Sequence, residues 1–278
     1  MTPQLAPEKR AICLENVGVT FEHRGNCVEA VRDLSMEVRE GEFVCVLGPS
    51  GCGKSTILTA IAGIRPISSG SLTVNGTVIS RPGADRGMVF QQHALLPWRT
   101  IQENIEFGLR MRGVAREQRV QIVGEIIKHI GLTGFEHHFP GQLSGGMQQR
   151  VELARVLVNK PSILLMDEPF GALDAQTRVQ MQELLLSIWD KSRMTSVFVT
   201  HDVDEAILLG DRILVMSNRP ASIKAEVIVS LQRPRCADTT VSSEFVKLKR
   251  QCMGLLRAST YQGGYFRGLR KEEPEGCS

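Results

Sequence analysis

The run Gly48, Pro49, Ser50, Gly51, Cys52, Gly53, Lys54, Ser55, Thr56 fits the pattern G-x-x-x-x-G-K-[ST]. Glycines at this spacing let a loop wrap closely around phosphate oxygens. The loop N–H groups and the following helix N-terminus supply partial positive charge, and Lys54 adds a full one. Ser55 is then placed to ligate Mg²⁺. The run alone implies a bound nucleoside triphosphate. A second run, Ile163 to Pro169 (ILLMDEP), puts Asp167 and Glu168 at the C-terminal end of an apolar strand, where α/β sheets gather their ligands. Asp167 is placed to support the same Mg²⁺. Glu168, the next residue, points elsewhere, toward the γ-phosphate, where a carboxylate orients and deprotonates an attacking water.

Three weaker elements join these. Val89, Phe90 and Gln91 end a strand at an amide able to reach Mg²⁺ and the attacking water. Thr200, His201 and Asp202 end another at an imidazole suited to bonding the γ-phosphate. Leu143 to Arg150 (LSGGMQQR) is a second Gly-rich turn opening a helix, so Ser144, Gly145 and Gly146 form a second anion-binding N-terminus. Each of the three, met alone, is more often structural than catalytic. The chain thus carries one triphosphate loop and two anion-binding turns.

The elements that must position these groups follow from apolar patterning. Strands are expected at Ala11 to Phe21, Leu34 to Val38, Phe43 to Leu47, Ser71 to Val74, Gly87 to Phe90, Ser162 to Met166, Ser196 to Thr200 and Arg212 to Met216. Ile163 to Met166 and Val197 to Thr200 are apolar without alternation, as parallel strands covered on both faces are. A helix follows the loop at Ser55 to Ala62, and Ala175 to Asp190 makes another, burying Met181, Leu184, Leu185 and Ile188. Between Gln91 and Lys160 the period turns helical, with Val120, Val123, Ile127 and Ile130 on one face. The fold class is therefore α/β, a P-loop core with a mixed sheet, an antiparallel β segment and a helical subdomain inserted at about 92–160. The nucleotide-binding domain is expected over 8–232. Residues 233–278 are expected to hold a turn-rich linker, an amphipathic helix through Phe245, Leu248, Cys252 and Leu255, and a loose tail from Gly263.

The 278 residues are 42% hydrophobic and 23% charged, an ordinary globular balance that excludes disordered and fibrous classes. A net charge of +3 and the lack of a basic block give no reason to expect nucleic acid as a partner. No apolar run approaches the ~20 residues that span a bilayer, and MTPQLAPEKR does not read as a signal peptide, so a membrane role is expected to run through a partner. Seven cysteines lack metal-binding spacing and are read as reduced thiols, and His137 and His138 as loop residues. Cys52 lies within the phosphate loop, which leads to the expectation that alkylating it blocks nucleotide binding.

In this order the motifs resemble the ATP-binding subunits of ABC transporters, over about residues 10 to 260. Gly48 to Thr56 is similar to that family's Walker A, Gln91 to the Q-loop, Leu143 to Met147 to the signature, Ile163 to Glu168 to Walker B, Ala172 to Asp174 to the D-loop and His201 to the switch histidine. Met147 departs from the commoner Gln. The resemblance implies an ATP hydrolase with ATP and Mg²⁺ as cofactors, and a head-to-tail dimer, expected to be of identical chains. In that dimer each ATP lies between one P-loop and the other subunit's Ser144 turn, with Asp174 nearby. Phe21 stands where the family has an aromatic against adenine. Leu95, Leu96, Pro97 and Trp98, within 93–105, are expected to receive an integral-membrane permease. LLPWRTIQENI, EPFGALDAQTR and RPR resemble the nitrate, sulfonate, taurine and bicarbonate importer branch. That implies a cytoplasmic-face, peripheral position and an indirect solute-binding partner. A soluble ABC ATPase acting on ribosomes or nucleic acid, or the ATPase of an exporter, are the alternatives left open by the residues.

Overall fold

A computed structural model describes residues 9–23, 26–91 and 94–261. The strands are β1 (Arg10–His23), β2 (Asn26–Arg39), β3 (Phe43–Leu47), β4 (Ser69–Val74), β5 (Thr77–Val78), β6 (Arg86–Val89), β7 (Ile163–Asp167), β8 (Thr195–Thr200), β9 (Arg212–Met216) and β10 (Ile223–Ile228). The α-helices are α1 (Lys54–Ile61), α2 (Ile101–Met111), α3 (Arg116–His129), α4 (Gly145–Leu157), α5 (Ala175–Ser192), α6 (Val203–Leu209) and α7 (Ser243–Tyr261).

Every residue of β3, β7 and β8 is buried, so these strands need cover on both faces and lie inside a sheet. They form it in the order β10-β9-β3-β8-β7-β6, parallel except for the antiparallel edge β10. Strand alternation divides the core. Val44, Val46, Leu165 and Val197 face a layer containing Ile57, Leu58 and Ile61 of α1 and Ile12, Leu34 and Leu72 of the second sheet. Phe43, Cys45, Leu164 and Phe198 face Met181, Leu185 and Trp189 of α5, with Ile207, Phe245 and Cys252 beyond. Phe43 meets Trp189 edge-on, 5.6 Å between ring centres. The second sheet, β2-β1-β4-β5, is antiparallel and is the β segment expected from sequence.

Between β6 and β7 the chain leaves the sheet as α2, α3 and α4, with their own core of Ile101, Ile105, Leu109, Val123, Ile127 and Val151. Thr100 and Glu103 start α2 with reciprocal side-chain to backbone bonds. The expected face of α3 needs correction at one end, because Val120 is 49% exposed. The buried stripe is Val123, Ile127 and Ile130, flanked by the partly buried Ile122 and Ile126.

The linker expected from residue 233 is a clamp on the core. Arg233 Nε donates to Asp211 Oδ1 at 2.9 Å, and its guanidinium lies 4.1 Å from the ring centre of Trp189. The Arg235 side chain is 1% exposed. It donates to the carbonyls of Gly210 at 2.6 Å, Leu231 at 2.9 Å, and Ile207 and Leu208 at 3.2 Å. The carbonyls of Ile207, Leu208 and Gly210 end α6, where a helix leaves acceptors without partners, and that of Leu231 lies in the segment after β10. Burial pushes the Arg235 guanidinium down to about 10, so it remains a cation at neutral pH. Phe245 and Cys252 then seat α7 on the same core, and Lys249 Nζ pairs with Asp204 of α6 at 2.7 Å. The expected loose tail, 263–278, lies outside the described residues.

Candidate active site

The phosphate loop joins the C-terminal end of β3 to α1. Gly53, with φ +119°, sits where an added Cβ would come within 3.0 Å of the Ala30 carbonyl and the Ala221 methyl, so only glycine closes the turn. A cleft of about 250 Å³ opens above, lined by Ser50, Gly51, Gly53, Lys54, Ser55, Thr56, Gln91, Glu168 and Arg219. The sheet order explains the meeting. Position 91 follows β6, position 168 follows β7, and the loop follows β3, all at the same end of the parallel strands.

Lys54 is 4% exposed. Its Nζ donates to the Gly48 and Pro49 carbonyls at 2.9 and 3.0 Å and lies 3.4 Å from Glu168 Oε1. Ser55 Oγ donates to Asp167 Oδ1 at 2.9 Å. Burial pushes the Asp167 carboxyl up, against the Ser55 hydrogen bond, while Glu168 adds to the rise and Lys54 opposes it. A serine hydroxyl, an amide oxygen and a carboxylate, all oxygen donors around a carboxyl that burial alone disfavours as an anion, suit a hard divalent cation such as Mg²⁺.

Glu168 has φ +43°, a left-handed conformation uncommon outside glycine. Its N–H still donates to Val199 O at 2.9 Å, so it ends the strand while turning its side chain away from that of Asp167. Its Oε2 lies 2.9 Å from His201 Nδ1. The half-exposed imidazole sits on the turn after β8, where Asp202 caps α6 by accepting from the N–H groups of Asp204 and Glu205.

Other expected residues lie elsewhere. Ser144 caps α4 by accepting from Met147 N at 3.3 Å, and Gly145 and Gly146 begin that helix. Asp174 caps α5, accepting from Thr177 N at 3.0 Å, and hydrogen bonding first from the Thr177 side chain and then from its N–H holds the Asp174 carboxyl below the usual range. None of these lines this chain's own cleft. Phe21 packs partly buried against the core with the Arg65 guanidinium 4.3 Å from its ring centre, so a cation already covers one face of the ring proposed for adenine. Cys52 is 2% exposed, its Sγ lies beneath the loop beside Gly48, and it does not line the cleft. Burial pushes that thiol up, away from its reactive thiolate form. His93 lies outside the described residues. Arg219 lines the cleft although the sequence does not place it there, since only the pairing of β9 beside β3 brings it to the loop.

A parallel sheet that gathers a triphosphate loop, a buried Ser-Asp pair and a Glu-His pair at its C-terminal end defines a P-loop nucleoside triphosphatase. The model of the ABC transporter family matches residues 31–171. The taurine import ATP-binding protein of Rhizobium johnstonii is 45% identical over 253 residues, 88% of this chain and 96% of that protein. The nitrate import ATP-binding protein of Synechocystis is 42% identical over 252 residues, 91% and 93% of the two chains. Among solved structures, the dimeric post-hydrolysis state of the ATP-binding cassette MJ0796 bound to ADP and Pi matches with TM-score 0.70 at 33% identity, covering 80% of this chain and 100% of that one. The chain belongs to the ABC transporter family as an ATP-binding cassette, an ATP hydrolase.

Proposed function

We propose that this chain is the ATP-hydrolysing subunit of a membrane importer for a small anion such as taurine, an alkanesulfonate or nitrate. ATP binding closes two copies head to tail, and hydrolysis reopens them. The loop N–H groups and Lys54 hold the phosphates, with Phe21 toward adenine. Ser55 and Gln91 would hold Mg²⁺, supported by Asp167 through its bond to Ser55, and the ion would supply positive charge to the phosphates. Glu168 takes the proton of the attacking water, while His201 fixes the carboxylate and reaches the γ-phosphate. The second copy supplies Ser144, Gly145, Gly146 and Asp174, which agrees with their distance from this chain's own cleft.

The observation that carries the transport reading is the segment before α2. Trp98 is 71% exposed at its tip. Buried Asn104 pins the segment from within, accepting from Leu96 N at 2.8 Å and sharing its two N–H groups among the carbonyls of Leu96, Arg99 and Thr100 at 3.0–3.1 Å. Beside it Leu96, Phe107 and Met111 line a groove of about 440 Å³. A rigidly held apolar tip beside an apolar groove has the form of a protein-binding surface. It is the place for a permease, with the cassette peripheral on the cytoplasmic face and a solute-binding protein reached through that permease. No helix among the described residues is long and apolar enough to cross a membrane.

The deciding experiment recovers the tagged full chain from detergent-solubilised native membranes and identifies its companions by mass spectrometry. An integral-membrane subunit together with a solute-binding protein is the expected result. An active ATPase found only in the soluble fraction would overturn the importer reading.

A further inference from the structure

We propose that Arg178 is a positioning residue of the hydrolytic site, joining the Leu173–Asp174 turn to the turn that carries His201. The inference rests on the reading of Glu168 and His201 given above. Arg178 stands on the first turn of α5 and faces two elements at once. Its Nη2 donates to the Leu173 carbonyl at 3.1 Å, immediately before Asp174. Its Nη1 lies 3.7 Å from Asp202 Oδ2, and its Nε lies 3.9 Å from Glu205 Oε1.

The Glu205 end leads directly to the imidazole. Glu205 is buried, and its Oε2 accepts from Thr200 Oγ1 at 2.6 Å. The same hydroxyl accepts from Asp202 N at 2.9 Å. Thr200 and Asp202 flank His201, so one hydroxyl and one buried carboxylate clamp the turn on both sides of the histidine that meets Glu168 at 2.9 Å. Gln182, one turn further along α5, donates to Glu205 Oε1 at 3.5 Å.

The guanidinium is incompletely bonded in a telling way. Arg178 Nε is buried without a hydrogen-bond acceptor. Its 3.9 Å separation from Glu205 exceeds hydrogen-bond length by about 1 Å. A movement of the guanidinium by about 1 Å, following the Leu173–Asp174 turn that Nη2 holds, would bring Nε within hydrogen-bond reach of Glu205. Asp174 is exposed at the start of α5, where a second copy of this chain would press on the turn. Arg178 is the group through which that pressure reaches Thr200 and His201. If it only neutralised Glu205, its loss would lower stability and leave turnover per folded molecule unchanged.

The test measures kcat, KM for ATP, binding of a fluorescent ATP analogue and Tm for the full chain carrying Arg178→Met, Arg178→Lys or Asp202→Asn. The amide of the last still caps α6 while removing the charge. Expected are a fall of about tenfold or more in kcat for Arg178→Met and Asp202→Asn and analogue affinity within about threefold of wild type. Arg178→Lys should fall between, and the double variant should be no slower than the slower single, as for residues acting through one contact. A lowered Tm with unchanged kcat overturns the proposal. Should Arg178→Met fail to fold, unchanged kcat in Asp202→Asn overturns it equally. Glu168→Gln, run alongside, separates the two readings. If it hydrolyses ATP normally, the assignment of the site fails. If it is inert while the Arg178 and Asp202 variants turn over normally, only the coupling fails.

Discussion

His201 Nδ1 lies 2.9 Å from Glu168 Oε2, while the other oxygen of that carboxylate faces Lys54 Nζ at 3.4 Å. A carboxylate held on both oxygens by groups from separate strand ends has a fixed orientation over the phosphate loop. Three segments distant in sequence thus meet at one side chain, and the left-handed backbone at Glu168 lets adjacent acids serve separate purposes. Asp167 turns to Ser55, and Glu168 turns to His201.

Glu168→Gln tests the base directly. The amide keeps the size of the side chain and its contact with His201 but cannot accept a proton from water. Turnover should fall on the order of 10² to 10⁴ while ATP still binds. Phosphate release measured beside nucleotide binding distinguishes a lost base from a lost site. Near wild-type hydrolysis would remove Glu168 from the role.

Thiol labelling should sort the cysteines by depth. Cys27 and Cys236 are exposed, whereas Cys45, Cys52 and Cys252 are buried. Burial raises the thiols of Cys45 and Cys52 and carries that of Cys252 to about 11, so thiolate is scarce at neutral pH. Brief treatment with N-ethylmaleimide should modify Cys27 and Cys236, leave Cys52 free until the protein unfolds, and leave ATP binding intact. Peptide mass spectrometry gives the answer, and rapid labelling of Cys52 in the folded protein would contradict its placement beneath the loop.

Arg235→Ala should destabilise the fold without touching the chemistry. It strips a cation from the carbonyls at the end of α6 and opens a cavity under the C-terminal segment. The cost should be about 3 kcal/mol or more. At roughly 2–4 °C per kcal/mol for a chain near this size, Tm falls by roughly 6–12 °C. Arg235→Lys should recover only part, since one ammonium cannot reach carbonyls spread around a planar guanidinium. A Tm within a degree or so of wild type would show that the segment is not clamped.

The motif residues were legible because phosphate chemistry demands fixed residue types at fixed spacing, and the buried strands because they carry unbroken apolar runs. What was not legible depends on pairing between distant segments. Arg233 and Arg235, polar and flanked by proline and cysteine, read as a linker, and only the carbonyls of α6 explain their burial. Cys52 read as a cleft residue because spacing in a loop does not say which way a side chain turns. Arg178 does not stand out from its neighbours in the sequence, since its partners Asp202 and Glu205 arrive from a different strand end. The first half of β2, with polar residues among its apolar ones, was missed because pairing with β1 rather than local propensity makes it a strand.

Asn104→Ala separates transport from hydrolysis. The buried amide accepts one bond and shares its two N–H groups among three carbonyls of the segment presenting Trp98, and it touches no residue of the phosphate cleft. Alanine frees that segment and leaves backbone groups of residues 96 to 100 to find other partners, at about 1–3 kcal/mol. ATP hydrolysis by the isolated chain should stay within about twofold, because the catalytic groups are untouched. Solute uptake by the assembled system should fall about tenfold or more, the scale of a lost interface anchor worth about 1.4 kcal/mol or more. Trp98→Ala should reproduce the uptake defect without the change in stability, since that side chain is exposed in the free chain. Radiolabelled uptake in cells, set against ATPase rates of the purified protein, makes the comparison. Normal uptake in both variants would mean that this segment is not the surface through which the cassette drives its permease.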